Sequence, residues 1–531
     1  MSSSKKLYNL ISENSPLLRT FPSKSVLSSQ ISIYATLIVV AASLGGFSYG
    51  YTTAIISGVL VSIGSDLDGE ILTSTQQQSV ASVTAIAAIF GCITSGLIAD
   101  KIGRKNIISL SCILFVISSV EMALCSSYKM FLSGRFLLGF PVGAVSMVVP
   151  IYVSEVAPSR LRGSLMTLNS LGTTLGQFLA YVFSALLENH KYSWRLMIIL
   201  GSIVPLLFLL LSPFICESPR LLVIKSNPTD AAKCFRLIFP MAQEYQIDDK
   251  ITLIQKDLNI NPSIGNTDYQ LNRISTEDLK STTKNSIFTK STIRALVIGC
   301  GLMCAQQLSG IAAFLNYSAT IFKSAGINNL MFVSIFVSLA NFLFTCANVV
   351  LIDITGRRKL LLYSMGIMIA ALILTGFVSQ MGPAAGALLV TFIVIYISAY
   401  AVGLGVIPWC SVEFLPQESR SLGAMIMSCI NWSMNFLVSM TFLDLNGFFK
   451  LSGTAFIYAL LSLAFYIFII KFYPEVTGLP LEDIRKIFEN GYDISYADEL
   501  RKELGIGCDN DDVETTCLSN NSGLRANYSN I

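Results

Sequence analysis

Amide and indole side chains occur inside the apolar stretches of this sequence, where an unsatisfied polar group is costly. They form hydrogen bonds without carrying a charge, as the site of a neutral ligand rich in hydroxyl groups requires. The candidates are Gln177, Gln306, Gln307, Asn316, Asn341, Trp409, Asn431, Trp432 and Asn435. For any single buried amide, a contact between two helices is at least as good an interpretation. As a set, they are compatible with a binding site for an uncharged ligand that forms hydrogen bonds.

Charged residues at the ends of the apolar stretches form a pattern that the chain contains twice. Asp100-Lys101-Ile102-Gly103-Arg104 recurs as Asp353-Ile354-Thr355-Gly356-Arg357, and Glu217 has a weaker counterpart in Glu475. The acids and arginines of the pattern are Asp100, Arg104, Glu155, Arg162, Glu217 and Arg220 in the first copy, and Asp353, Arg357, Glu413 and Arg420 in the second. The copies are 253 to 258 residues apart. This is the pattern of a duplicated membrane unit with two pseudo-symmetric halves.

The repeated acids and arginines predict a gate. Salt bridges between the halves would hold one side of the bundle closed, and their rupture would allow the opposite state to form. The alternative is that the basic residues only fix the topology of the chain in the membrane. That alternative accounts for Arg104 and Arg357 but explains neither the repeated acids nor their constant spacing. We therefore favour the gate.

Composition indicates that lipid surrounds most of this chain. Its 531 residues are 53% hydrophobic and 13% charged, against about 25% charged residues in soluble domains. A net charge of +3 gives no reason to expect a nucleic-acid partner. The twelve cysteines form no CxxC pair, so we expect neither a disulfide framework nor a metal site, and no cofactor is implied. The only histidine, His190, lies between two apolar stretches, which excludes a histidine proton relay inside the membrane.

Twelve apolar stretches are long enough to cross a bilayer, which takes about 20 residues, and they must do so as helices. They are roughly 33–58, 79–99, 106–126, 130–153, 165–187, 195–215, 293–322, 329–352, 359–381, 384–412, 421–443 and 452–472. The predicted fold is an all-α integral membrane protein of two six-helix halves. The division of the chain is a tail 1–31, a first half 32–216, a linker 217–292 with short helices, a second half 293–472 and a tail 473–531.

The distribution of Lys and Arg predicts the orientation of the chain in the membrane. Loops after even-numbered stretches are basic, as in Lys101-Ile102-Gly103-Arg104-Lys105, whereas the loop after the first stretch is acidic. Basic loops stay in the cytosol, so both termini are predicted to be cytosolic. In the N-terminal tail, Glu13, Leu17 and Leu18 fit an acidic dileucine pattern that a sorting adaptor would read. That pattern leaves vacuole or endosome and plasma membrane equally open, and nothing requires more than a monomer.

These motifs resemble the sugar porter branch of the major facilitator superfamily. The resemblance covers about 30–494 and rests on five motifs in order: Gly96 to Lys105, Gly134-Arg135, Glu155 to Gly163, Glu217-Ser218-Pro219-Arg220 and Gln306 to Gly310. Within that branch, Arg294 to Leu302, Pro408-Trp409 with Glu413, and Tyr473 to Tyr492 are most similar to fungal myo-inositol/proton symporters. The resemblance implies the major facilitator fold, and sugar-binding roles for Gln177, Gln306, Gln307, Asn341, Trp409 and Asn435.

Two departures from the family pattern affect the expected activity. Most sugar porters have Asn where this chain has Ala312, and here an Asn appears one helical turn later, at Asn316. Contact with the ligand and packing against a helix are equally good interpretations of Asn316. The family's proton-coupled members carry Asp at the position of Thr52, paired with an Arg that corresponds to Arg135. Thr52 cannot titrate, so we expect coupling to be lost or rerouted through Glu121.

The predicted function is transport of myo-inositol or a related polyol or hexose by alternating access. A hexose transporter and a non-transporting sugar sensor on the same fold are the alternatives. The tail after Tyr473 has only some sixty residues and no repeated interaction motif, which speaks against a sensor. The apolar stretches hold no nucleophile with an adjacent base and no cluster of metal ligands, so no enzyme is predicted.

Overall fold

The computed structural model describes residues 32–158, 161–188, 190, 192–225, 227–257, 289–316, 330–382, 385–416, 419–479, 481–489, 491–492 and 494–503. The dileucine residues Glu13, Leu17 and Leu18 lie outside these ranges. The described chain contains twelve helical segments apolar and long enough to cross a membrane, which confirms the predicted number. Spans 1 to 6 are Ile33–Ser62, Thr75–Ile102, Arg104–Leu124, Tyr128–Val156, Arg162–Leu187 and Ser193–Phe214. Spans 7 to 12 are Lys290–Leu315, Phe332–Thr355, Arg357–Val378, Gly386–Phe414, Arg420–Phe442 and Asp444–Phe472.

Small residues bring the spans into close contact. Spans 1 and 5 pack against each other in the first half. A Cβ at Gly50 of span 1 would lie 2.0 Å from the carbonyl oxygen of Thr173 in span 5. Lipid offers no hydrophobic drive for helices to associate, so close backbone packing of this kind supplies much of the attraction. Span 5 also packs against span 8, and span 2 against span 11, so these two pairs join the halves.

Two spans are broken near the middle of the second half. Span 7 consists of helices Lys290–Leu308 and Ile311–Asn316, separated at Gly310, whose φ is +90°. Span 10 breaks between helices Gly386–Val402 and Ile407–Cys410. Irregular backbone at membrane depth is tolerated only where protein or a cavity receives its polar groups. Gln306 meets this need, donating hydrogen bonds to the carbonyl oxygens of Leu404 at 2.7 Å and Gly405 at 3.3 Å.

Short helices cover the end of the bundle that carries the repeated Asp and Arg residues, which we name the basic end. The linker forms α1 (Pro219–Ile224), α2 (Pro228–Ile238) and α3 (Glu244–Asp257), which share a small apolar core. The C-terminal segment forms α4 (Leu481–Glu489) and α5 (Ile494–Glu503). Arg294 of span 7 donates to the Phe488 and Glu489 carbonyl oxygens at 2.9 and 3.1 Å, satisfying the C-terminal end of α4.

Candidate functional site

A central cavity lies between the two halves and is lined by spans 1, 4, 5, 7, 8, 10 and 11. The space between atoms is about 1070 Å³, part of which is open solvent. Its polar lining residues are Tyr49, Thr53, Ser146, Asn169, Ser170, Thr173, Thr174, Gln177, Tyr181, Gln306, Gln307, Asn341, Thr345, Tyr400, Trp409 and Asn435. None of the described lining residues is charged. The lining therefore suits a neutral ligand with many hydroxyl groups.

Four amides of the second half form one continuous hydrogen-bonded chain. Asn435 donates to Gln307 at 3.1 Å, and Gln307 donates to Asn431 at 3.0 Å. Asn431 donates to Oε1 of Gln306 at 2.7 Å, and Gln306 in turn holds the break in span 10. The chain ties span 11 to the broken regions of spans 7 and 10. Gln306 and Gln307 thus line the cavity while their amides are already engaged within the protein.

The two tryptophans of the predicted set occupy different places. Trp409 lines the cavity, whereas Trp432 and Asn431 lie behind its wall. The indole nitrogen of Trp432 donates to Ser146 in span 4 at 3.0 Å, and its ring meets Tyr49 edge-on at 5.5 Å. Trp432 therefore links the halves directly. Its position predicts an indirect effect on the ligand, through the placement of Tyr49.

The first half presents its polar groups along one face of span 5. Asn169, Thr173, Gln177 and Tyr181 recur every four residues and all line the cavity. Gln177 accepts a hydrogen bond from Asn341 of span 8 at 3.3 Å. The oxygens Oδ1 of Asn169 and Asn341 are buried and have no hydrogen-bond partner among the described residues. Sequence reasoning missed Asn169, although its four-residue spacing from Thr173 and Gln177 was a usable signal.

The structure describes one of the two side chains of span 7 that differ from the family pattern. Ala312 is buried and lines the cavity. Asn316 ends the second helix of span 7, and its side chain lies outside the described part of the structure. Contact between Asn316 and the ligand therefore stays a prediction.

Buried ion pairs repeat at the basic end of both halves. In the first half, Arg104 lies 2.9 Å from Asp100 and 3.3 Å from Glu155. In the second half, Arg357 lies 2.5 Å from Glu413. Glu413 is also 3.5 Å from Arg162 of the first half, so one carboxylate joins two arginines across the interface. Removing this carboxylate would deprive two buried arginines of a shared counter-charge.

The aspartates of the repeat also reach across the interface. Asp353 accepts from the backbone N–H of Ser164 at 2.9 Å, at the start of span 5, and from the Ser164 hydroxyl. Asp100 accepts from the hydroxyl of Ser421 at 2.8 Å, at the start of span 11. Each half therefore places an aspartate against the first turn of a helix in the other half, where a negative charge is favourable. These contacts close the basic end beneath the cavity.

Glu217 and its counterpart Glu475 act within their own halves. Glu217 accepts from the backbone N–H groups of Arg104 at 3.0 Å and Lys105 at 3.3 Å. Glu475 accepts from those of Arg357 at 3.2 Å and Arg358 at 2.9 Å. Spans 3 and 9 begin at these residues, so each carboxylate satisfies the free N–H groups of a helix N-terminus. Although the sequence similarity around Glu217 and Glu475 is weak, both residues therefore make the same capping contact.

The remaining members of the predicted gate are two buried arginines. Arg220 lies in α1, and Arg420 begins span 11. Arg420 donates to the carbonyl oxygen of Leu415 at 3.1 Å, which holds the chain between spans 10 and 11.

Substitution of Gly103 by Ala should destabilise the protein by about 1–3 kcal/mol, because its φ of +112° and ψ of +154° suit glycine only. A Cβ there would also lie 2.2 Å from Oε2 of Glu217 and would displace the cap of span 3. Gly366→Ala is the matched control, since a Cβ at Gly366 meets no atom within 4 Å. Thermal unfolding of the detergent-solubilised protein measures both variants. An unfolding temperature of Gly103→Ala equal to that of the unmodified protein would show that neither the glycine conformation nor the Glu217 cap contributes to stability.

Arg135 lies deep in span 4 beside a small cavity, which Thr52 also lines. Its guanidinium donates to the carbonyl oxygens of Thr52 at 3.1 Å and Val80 at 3.3 Å. In the described ranges no carboxylate pairs with it. Glu121, the predicted substitute, instead accepts from the Ser133 hydroxyl at 2.8 Å. The Thr52 hydroxyl donates to the Ser48 carbonyl oxygen of its own helix. The hydrogen-bond partners of the Arg135 guanidinium are therefore neutral backbone carbonyl oxygens.

Comparison with known proteins agrees with this geometry. Myo-inositol transporter 1 of Cryptococcus neoformans is 36% identical over 489 residues, covering 89% of this chain and 84% of that protein. The probable metabolite transport protein YDR387C of Saccharomyces cerevisiae is 34% identical, covering 87% of this chain and 92% of that protein. The solved structure of the proton:xylose symporter XylE, bound to 6-bromo-6-deoxy-D-glucose, has a TM-score of 0.75. It is 24% identical, covers 86% of this chain and 99% of that one, and confirms the major facilitator fold. The family described as sugar (and other) transporter matches residues 38–488, and this multi-pass membrane protein belongs to it.

Proposed function

We propose that this protein carries myo-inositol, or a related neutral polyol or hexose, across a membrane by alternating access. The observation that carries the proposal is the uncharged, amide-rich cavity between two halves whose basic end is closed by repeated contacts. A ring of hydroxyl groups matches such a lining, because each hydroxyl both donates and accepts a hydrogen bond. Relatives named as myo-inositol transporters favour an inositol over a hexose.

The basic end faces the cytosol in this proposal, as the distribution of Lys and Arg requires. Opening toward the cytosol separates Arg162 from Glu413 and Asp353 from Ser164. The same charges then meet water, which compensates for the lost pairs. The ligand affects the balance only through contacts that differ between the two states.

Transport is proposed to be uncoupled from protons. Thr52 offers no titratable group to Arg135, and Glu121 hydrogen-bonds elsewhere. The carrier would then equilibrate its substrate down a gradient. A sugar sensor is the second candidate, since Thr52 and Ala312 replace residues that the family's transporters use.

The proposed substrate predicts saturable uptake of labelled myo-inositol, with glucose taken up more weakly, in cells that lack inositol and hexose carriers. Leu17 and Leu18 are replaced by Ala to retain protein at the surface, and surface protein is quantified with and without this change. Uptake should be equal with and without a protonophore at a fixed substrate gradient. The measurement is the initial rate per molecule at the surface.

The outcomes of this experiment distinguish the proposed carrier from its alternatives. Uptake that a protonophore abolishes would contradict the uncoupled carrier. Binding of the sugar without uptake would favour the sensor. Redistribution of the protein on replacing Leu17 and Leu18 would support recognition by a sorting adaptor and residence in the vacuole or endosome. An unchanged distribution would remove the dileucine argument for the vacuole or endosome. A monomer suffices for either membrane.

A further inference from the structure

The side-chain amide of Asn169 is not used by the protein. Its Oδ1 is buried and has no hydrogen-bond partner in the part of the chain that the structure describes. Span 1 passes so close that a Cβ at Gly46 would lie 2.5 Å from this oxygen. Glycine there leaves room for the amide but supplies no side-chain donor. A buried acceptor without a partner is uncommon in a folded protein and calls for an explanation.

The position of Asn169 indicates which group could donate a hydrogen bond to its Oδ1. It lies two helical turns from Gln177 on the same face of span 5, toward the basic end. Below it, Thr167 donates to Asn348 of span 8 at 3.4 Å, and Ser164 meets Asp353, so the interface of spans 5 and 8 is closed there. Asn169 therefore forms the floor of the cavity. A ligand resting on that floor would meet the Asn169 amide, and rotation of this side chain away from Gly46 would bring Oδ1 to a ligand hydroxyl.

The four linked amides of the second half differ from Asn169 in this respect. Gln306, Gln307 and Asn431 exchange hydrogen bonds with one another and with Asn435. A ligand must compete with those bonds, whereas Asn169 gains a bond without losing one. An unpaired buried acceptor also penalises any ligand that offers no donor. Discrimination between similar ligands is therefore strongest at such a group.

We propose that Asn169 is a specificity-determining residue whose Oδ1 accepts a hydrogen bond from one ring hydroxyl of the substrate. This inference rests on the proposed transport of a polyol or hexose and names the contact that reads one of its hydroxyls. The contact depends on a donor. A substrate with fluorine in place of that hydroxyl keeps its shape but loses affinity, because fluorine cannot donate.

Competition binding against labelled myo-inositol tests the contact on the purified full-length protein. The competitors are deoxy and deoxyfluoro analogues altered at each ring position in turn. At one position both analogues should bind about 10- to 100-fold more weakly than myo-inositol. Asn169→Leu should weaken myo-inositol binding by a similar factor and remove the discrimination at that position alone. Asn169→Asp, which keeps an acceptor oxygen, should retain it.

Asn348→Leu is the matched control, because that buried amide is already bonded to Thr167 and to the carbonyl oxygen of Val402. It should lower the unfolding temperature and leave discrimination at every ring position unchanged. Full discrimination by Asn169→Leu, or by Asn169→Ala if the leucine variant does not fold, would overturn the proposal. Tolerance of fluorine at every position would overturn the acceptor role. Absence of any polyol or hexose binding by the unmodified protein would instead contradict the proposed function.

Discussion

Substitution of Glu413 by Ala is expected to reduce uptake by about 100-fold or more, because truncating one partner of a buried pair costs about 3–5 kcal/mol. The carboxylate is buried and lies 2.5 Å from Arg357 and 3.5 Å from Arg162. Its loss leaves both guanidinium groups without this counter-charge and cuts an ionic link between the halves at the basic end. We expect the closed basic end to become the less populated state.

Uptake and accessibility together distinguish a lost gate from a lost fold. A cysteine introduced at Thr167, which is buried between spans 5 and 8 at the closed basic end, should become reactive toward a membrane-impermeant thiol reagent applied from the cytosolic side. Glu244→Ala is the matched control, since Glu244 pairs with Arg236 at 2.7 Å on the exposed surface. Exposed pairs contribute about 0–1 kcal/mol, so that variant should transport normally. Normal uptake by Glu413→Ala would show that the pair is not part of the gate.

Substitution of Thr52 by Asp is expected to make uptake depend on the proton gradient. The new carboxyl would stand on span 1 next to Arg135, which now contacts the backbone oxygens of Thr52 and Val80. A carboxyl paired with a buried cation in one state and protonated in the other would couple proton movement to the change of state. Coupling to one proton would permit about tenfold accumulation of substrate per unit of pH gradient.

Accumulation ratios measured at imposed pH gradients test this expectation. Thr52→Asn is the control, because it matches Asp in shape and cannot titrate. Arg135→Met in the Thr52→Asp background should abolish the new coupling by removing the charge that distinguishes the two protonation states. An accumulation ratio near one for Thr52→Asp at every gradient, with uptake retained, would show that the position does not control coupling. Proton-driven uptake by the unmodified protein would locate the carrier of the proton elsewhere.

Much of the architecture was accessible from the order of the residues alone. The twelve spans follow from apolar length, because a helix satisfies its own backbone in lipid and needs no partner to be identified. The predicted start of span 12, at 452, also agrees with the structure, because the long helix Arg420–Phe472 departs from helical geometry at Lys450, whose φ is +57°. The duplication was also recognisable from the sequence. Its repeated charged motifs lie between spans, because charged residues there must remain at the membrane surface.

For the candidate site too, some features were predicted from the sequence and others were not. Residue type and span membership indicated Gln177, Gln307, Asn341 and Asn435, and all four line the cavity. Amide chemistry alone did not reveal that Asn431 lies behind the wall or that Asn169 is unused. An amide has the same capacity for hydrogen bonds wherever it lies. Its partners depend on which helices approach it, and that is a property of the packed bundle.

The sequence by itself therefore determined the number of spans, the two halves and the amide side chains within the spans, because each segment must be long and apolar enough on its own to cross lipid. Tertiary structure alone decided how the repeated acids are used. Glu217 and Glu475 cap the helices of their own halves, whereas Glu413 and Asp353 reach across the interface. Similar carboxylates acquire different roles because a charge acts on whatever lies within a few ångströms, and packing of distant spans sets those distances.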